Sequence, residues 1–233
     1  MTTTTRVGGV CMASSSSSSK QTPSTTTSTT TKKEKRRRML ALHGKGGSAA
    51  QFGAHMQPLV DATSHAYDWF FCDAPFEEDV QGYGWWTLEP GTRTYQATTL
   101  PGLAASMEVI KANGPFEGMF GFSQGAMLAA MLACEDASER AVTEKVVVVG
   151  AAYPTCEGAR FDAMIARGGA SPLRSLHVIG ELDGINPPEQ AKRVAEAFGA
   201  EAEIYTFRGG HTVPMNPEAL QKYVEFLTGD VDA

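Results

Sequence analysis

The stretch Gly118-Met119-Phe120-Gly121-Phe122-Ser123-Gln124-Gly125-Ala126-Met127-Leu128-Ala129-Ala130-Met131-Leu132-Ala133-Cys134 decides how the rest of the chain is read. Its first five residues have the short apolar run of a buried strand, and Gln124–Cys134 has the length and composition of a helix covered on several sides. Between them lies Gly121-Phe122-Ser123-Gln124-Gly125, a G-x-S-x-G match at the junction of strand and helix. A sharp turn there lifts a serine hydroxyl clear of the sheet, and the flanking glycines remove side chains that would collide. The helix then directs its first amides at negative charge. The plainer alternative is a serine acting only as a helix N-cap.

Outward from this junction, short apolar runs alternate with helical ones. Strands are predicted at 39–42, 67–72, 118–122, 145–149, 176–179 and 203–207. Helices are predicted at 49–62, 101–112, 124–134, 188–198 and 217–227. Residues 76–97 mix aromatic, acidic, Gly and Pro residues without a period and read as an excursion. Alternation of this kind implies an α/β fold with a mainly parallel sheet and helices on both faces. A chain of 233 residues supports one such domain, assigned to 39–233.

A serine needs a base to take its proton. Among five histidines, His211 follows the last predicted strand in Gly209-Gly210-His211, where glycines let a loop carry it to the site. His177 sits in a strand pattern, His55 and His65 lie on or near the first helix, and His43 shapes the loop after the first strand. Asp183, at the end of a strand, is the candidate acid. The order Ser123, Asp183, His211 places all three at the carboxyl edge of the sheet. Glu181 is its nearest rival, set further back from that edge. Two oxyanion donors are expected from the backbone N–H of Gln124 and of Lys45, the latter in the Gly-rich His43–Gly47 loop. That loop lacks the order of a phosphate loop. Trp85 and Trp86 either line an apolar acyl pocket or plug the edge of the core. No metal-ligand spacing and no dinucleotide fingerprint occurs, so no metal or other cofactor is implied.

The first 38 residues differ from the remainder. They carry a charge of +7 against −13 for residues 39–233, and 19 of the first 31 are Ser or Thr. Such composition buries too little to offset ordering entropy and reads as a disordered leader. A Ser/Thr-rich basic segment almost free of acids is also the composition of a transit peptide. That leaves the cytoplasm as the expected location, or a plastid or mitochondrion if 1–38 is a transit peptide. A plain leader with translation starting at Met39 and a basic nuclear or nucleic-acid patch are further readings. The acidic body argues against a nucleic-acid partner. No run of 18 apolar residues exists, so no membrane span is expected. Cys72 and Cys134 lie in apolar runs as free thiols, a pattern that fits a reducing compartment.

Several of these motifs together resemble the FSH-type serine hydrolases, a family that includes the ovarian-tumour-suppressor-candidate-like hydrolases. The resemblance runs from about Met39 to Leu227. It rests on Leu42-His43-Gly44, Asp73-Ala74-Pro75, Trp85-Trp86, Gly114-Pro115-Phe116-Glu117-Gly118, the Ser123 match, Gly180 with Asp183, and Gly209-Gly210-His211-Thr212-Val213-Pro214. It implies an α/β-hydrolase fold, a Ser123–Asp183–His211 triad and hydrolysis of a small-molecule carboxylic ester or acyl thioester. Relatives include enzymes acting on fatty-acyl esters and fungal thioesterases that release polyketides. Lys45 departs from the apolar or aromatic residue common at its position, and the Ser/Thr leader is foreign to the family domain. A non-catalytic ligand-binding protein on the same scaffold is the rival of another class. Oligomeric state is not legible from the sequence.

Overall fold

The computed structural model describes residues 12–13, 36–78, 82–167 and 173–229. In chain order the strands are β1 (Met12–Ala13), β2 (Arg37–Leu42), β3 (Tyr67–Cys72), β4 (Phe76–Glu77), β5 (Tyr83–Gly84), β6 (Phe116–Phe122), β7 (Val142–Val149), β8 (Arg174–Gly180) and β9 (Glu203–Phe207). The helices are α1 (Ala49–Thr63), α2 (Leu103–Asn113), α3 (Gln124–Ala133), α4 (Gly158–Ala166), α5 (Pro188–Phe198) and α6 (Pro217–Thr228). The main sheet runs β1-β3-β2-β6-β7-β8-β9, and every pairing is parallel except β1 with β3. β4 and β5 pair separately.

Side-chain alternation divides the core into two layers. Met39 and Ala41 of β2, with Tyr67, Trp69 and Phe71 of β3, pack against Phe52 and Met56 of α1 and Tyr223 and Phe226 of α6. Leu40, Leu42, Met119, Val146 and Val148 face the other way, onto α2, α3, α4 and α5. Val146–Val149 feeds both layers, and each fully buried valine contributes about 1.5–3 kcal/mol relative to exposure. Every residue of α3 is buried, as its all-round apolar composition required. This is the α/β-hydrolase architecture.

The register sets the site. Leu42 aligns with Gly121, Gly121 with Val148, and Val149 with Val178. The ends of β2, β6, β7 and β8 therefore open onto one edge, where the loops carrying function emerge.

The structure corrects the sequence reading at four places. β2 begins at Arg37, so the boundary drawn between residues 38 and 39 falls inside a strand, and a chain starting at Met39 would lack its first two residues. The charged heads hid this, because each is engaged: Arg36 with Asp68 at 2.8 Å, Arg37 with Glu144 at 3.1 Å, and Arg38 with the carbonyls of Asn113 and Pro115, both at 2.9 Å. Met12–Ala13 pairs antiparallel with Phe71 and Phe70, and ladder pairing of backbone groups needs no apolar period in the sequence. Apart from those two residues and Arg36–Arg38, the leader lies outside the described residues. Cys72 is disulfide-bonded rather than a free thiol, so the cysteines no longer argue for a reducing compartment; burial in an apolar run is compatible with either state. Cys134 and Cys156 are free. Finally, α4 has no counterpart among the predicted helices, and the irregular 76–97 segment holds the short β4–β5 pair.

Candidate active site

Ser123 sits between β6 and α3 at φ 54° and ψ −116°, the one non-glycine residue with positive φ among the described residues. Such a backbone costs about 1–3 kcal/mol and persists only where its surroundings over-determine it. Here they do. The Ser123 N–H donates to Val149 O at 2.9 Å, and Met127 N–H donates to Ser123 O at 3.0 Å. The two flanking glycines are required sterically. A Cβ on Gly121 would stand 2.4 Å from Gly125 O, and one on Gly125 would stand 2.3 Å from Leu42 O.

Ser123, His211 and Asp183 form one continuous hydrogen-bonded chain. Ser123 Oγ lies 2.8 Å from His211 Nε2, and His211 Nδ1 lies 2.7 Å from Asp183 Oδ2. A carboxylate can only accept, so Nδ1 carries the proton and Nε2 is left to accept from the serine hydroxyl. Asp183 is buried, and its Oδ1 accepts from the N–H groups of Ile185 and Asn186, both at 2.9 Å. Asn186 in turn donates to Gly150 O at 2.7 Å. The loops after β8 and β9 are stitched by backbone bonds from Glu181 to Phe207 and from Leu182 to Gly209. Those bonds fix Asp183 and His211 relative to each other. Glu181, the rival acid, is exposed and outside this chain.

The other flank is the His43–Gly47 loop. His43 is buried, its Nδ1–H donates to Gly44 O at 2.8 Å, and its Nε2 accepts from Ala74 N–H at 3.1 Å. Both roles demand the neutral ring, and burial holds its pKa below the ordinary histidine value against the opposing pull of Gly44 O and Asp73. Gly46 N–H donates to Tyr83 O at 2.9 Å and Tyr83 N–H returns to Gly47 O at 2.8 Å. Lys45 Nζ reaches Glu78 at 3.3 Å, so its side chain is paired. Among the described residues, neither the Lys45 N–H nor the Gln124 N–H has a hydrogen-bond partner. Gln124 is the first residue of its helix, where an amide has no intrahelical acceptor.

Trp85 and Trp86 are both fully buried, which corrects the acyl-pocket reading and assigns the pair to the core edge. Trp85 Nε1–H donates to His43 O at 2.8 Å, and its ring stands 5.3 Å from the His43 ring. The side chain of Gln124 is a functional group that sequence reasoning missed, since only its backbone N–H was expected at the site. It is 2 % exposed, accepts from Trp85 N–H at 2.8 Å and donates to Trp86 O at 3.0 Å. A glutamine inside an otherwise apolar helix was the available signal. His177 is buried against Phe198 and distant from this chemistry.

A cleft of about 340 Å³ opens beside His211, between the His43–Gly47 loop, the start of α1 and the Thr212–Val213 turn. Among the described residues, no cluster of three or more His, Cys, Asp or Glu is arranged to hold a metal ion, and no helix is long and apolar enough to cross a membrane.

A serine on a strained strand-to-helix turn, bonded through histidine to a buried aspartate at the carboxyl edge of a parallel sheet, defines a serine hydrolase of the α/β-hydrolase class. The family model described as serine hydrolase (FSH1) matches residues 31–223, and the chain belongs to that family. Esterase OVCA2 of Bos taurus is 31% identical over 198 residues, covering 80% of this chain and 84% of its own. Esterase OVCA2 of Danio rerio is 33% identical over 162 residues, covering 64% and 69%. Among solved structures, esterase PE8 superposes with a TM-score of 0.63 at 18% identity, over 84% of this chain and 93% of that one. Zea mays acyl-protein thioesterase 2 gives 0.60 at 19% identity, over 83% and 93%. At these identities the structural matches speak for the fold alone.

Proposed function

We propose that the protein hydrolyses carboxylic esters of small molecules through an acyl-enzyme on Ser123. The observation that carries this reading is the unbroken Ser123–His211–Asp183 chain at 2.8 and 2.7 Å. Ser123 Oγ attacks the carbonyl carbon while His211 Nε2 takes its proton, and Asp183 stabilises the imidazolium and holds its tautomer. The unpartnered amides of Lys45 and Gln124 receive the developing oxyanion, and because the loop and helix are already braced, no reorganisation accompanies the step. Collapse expels the alcohol, and His211 then activates water to release the acid.

The OVCA2 relatives are named esterases, which favours an oxygen ester. An acyl thioester could use the same groups. A panel of aryl esters and acyl-CoA thioesters, run with wild type and Ser123→Ala, tests the reading. Ester turnover in the wild type falling by about 10⁴-fold or more in the variant is expected. Full retention in Ser123→Ala contradicts the mechanism, and turnover confined to thioesters replaces the substrate class. A purely ligand-binding role gains nothing from a hydrogen-bonded base aimed at a strained serine.

A further inference from the structure

We infer that the cleft beside His211 receives the alcohol half of the ester and favours alcohols that carry further hydroxyl groups. The inference rests on the ester-hydrolase reading above.

Position comes first. His211, Phe122 and Gly44 line the cleft, and a Cβ on Gly44 would stand 3.1 Å from Ser123 Cβ, so the cleft adjoins the Ser123–His211 contact. When the tetrahedral intermediate collapses, the bond from the carbonyl carbon to the alcohol oxygen breaks and its electron pair passes to that oxygen. The oxygen takes the proton that His211 Nε2 received from Ser123, and the alcohol departs neutral. It must therefore lie within hydrogen-bond reach of Nε2, on the side that His211 borders.

Chemistry narrows the class. Phe52, Phe122 and Val213 supply apolar surface, while the Gln51 amide and the Thr212 hydroxyl each offer a donor and an acceptor. Among the described residues neither side chain is engaged in a hydrogen bond of its own. His55 also lines the cleft. Its Nε2–H donates to Val213 O at 2.9 Å, which leaves Nδ1 for a ligand. Lys45 is the sole lysine or arginine in the described lining, and Glu78 already holds it at 3.3 Å. The cleft therefore offers several hydrogen-bonding groups and no uncommitted lysine or arginine for a phosphate or carboxylate. Its volume is near the lower end of ligand sites, which span roughly 300–1,000 Å³.

The test holds the acyl group constant. Glycerol monobutyrate and ethyl butyrate are compared as substrates of wild type, Gln51→Leu and Thr212→Val. Both positions are exposed, so the variants fold. In each, the ratio of kcat/KM for the glycerol ester over the ethyl ester is expected to fall roughly 3- to 10-fold, the effect of one neutral hydrogen bond. Hydrolysis of the butyryl-enzyme, from which the alcohol has already gone, keeps the wild-type rate. A ratio unchanged in both variants overturns the inference, because the cleft then makes no contact with the alcohol's further hydroxyl groups. If the wild type forms no butyryl-enzyme from either ester, the underlying reading fails instead, and the two failures are thereby distinguished.

Discussion

The side chain of Gln124 holds the backbone of Trp85, accepting its N–H at 2.8 Å, while the backbone N–H of Gln124, beside Ser123, has no hydrogen-bond partner among the described residues. Trp85 also holds His43 O, and its neighbour Tyr83 exchanges bonds with Gly46 and Gly47. One segment, residues 83–86, thus fixes both backbone groups proposed to bind the oxyanion. The amide accepts from Trp85 and donates to Trp86 at once, which neither a thioether nor an ionised carboxylate can do. Gln124→Met and Gln124→Glu are therefore expected to lower kcat about 10- to 100-fold with little change in KM, because geometry in the transition state is what they disturb. Steady-state kinetics on an aryl ester check this, and an effect confined to KM would contradict it.

The two adjacent tryptophans should differ in stability. Trp85→Phe leaves the buried His43 carbonyl unpaired and is expected to cost about 1–3 kcal/mol. The Trp86 indole N–H has no partner among the described residues, so Trp86→Phe removes an unsatisfied donor that offsets part of the lost packing. Urea denaturation should rank Trp85→Phe as the more destabilised variant.

The last residues of the basic run belong to the fold. The Arg38 guanidinium lies 4.7 Å from the Phe70 ring centroid and 4.6 Å from that of Phe116, and its N–H groups reach two carbonyls. Arg38→Met is expected to lose about 2–4 kcal/mol from stacking and charge-assisted bonds together. A chain beginning at Met39 should melt at a lower temperature than one beginning at Lys35. Equal melting temperatures would contradict the placement of β2.

His177 gives the fold an acid-sensitive element. Burial depresses its pKa from 6.5 to about 3. Between those values the unfolded chain binds a proton that the folded chain does not. The stability due to neutral His177 is thus complete above about pH 6.5 and declines as pH falls toward 3, with a slope of at most about 1.4 kcal/mol per pH unit. His177→Leu should flatten the stability profile across that window, as measured by denaturant midpoints at successive pH values.

The mainly parallel sheet with its alternating helices and the three residues of the hydrogen-bonded chain were legible in the sequence because each rests on local signals, whereas the order of strands was not. Val146–Val149 can be little but a buried strand, and a serine between glycines at a strand-to-helix junction marks a tight turn that suits a nucleophile. What escaped depended on partners distant in the chain. Gln124 acquires its role from Trp85 and Trp86, 39 and 38 residues away. Arg38 read as part of a charged tail because the rings and carbonyls that receive it lie in β3, β6, the last residue of α2 and the turn that follows it. The tryptophan pair showed an aromatic composition, and composition alone does not tell a pocket wall from a core plug.

Labelling with a fluorophosphonate tests the central claim most directly. The reagent bonds only to a serine activated as a nucleophile, and the proposed mechanism requires the wild type to acquire one phosphonyl group, on Ser123, with none on Ser123→Ala. A well-folded wild type that stays unlabelled, or a Ser123→Ala variant that labels equally, would contradict it.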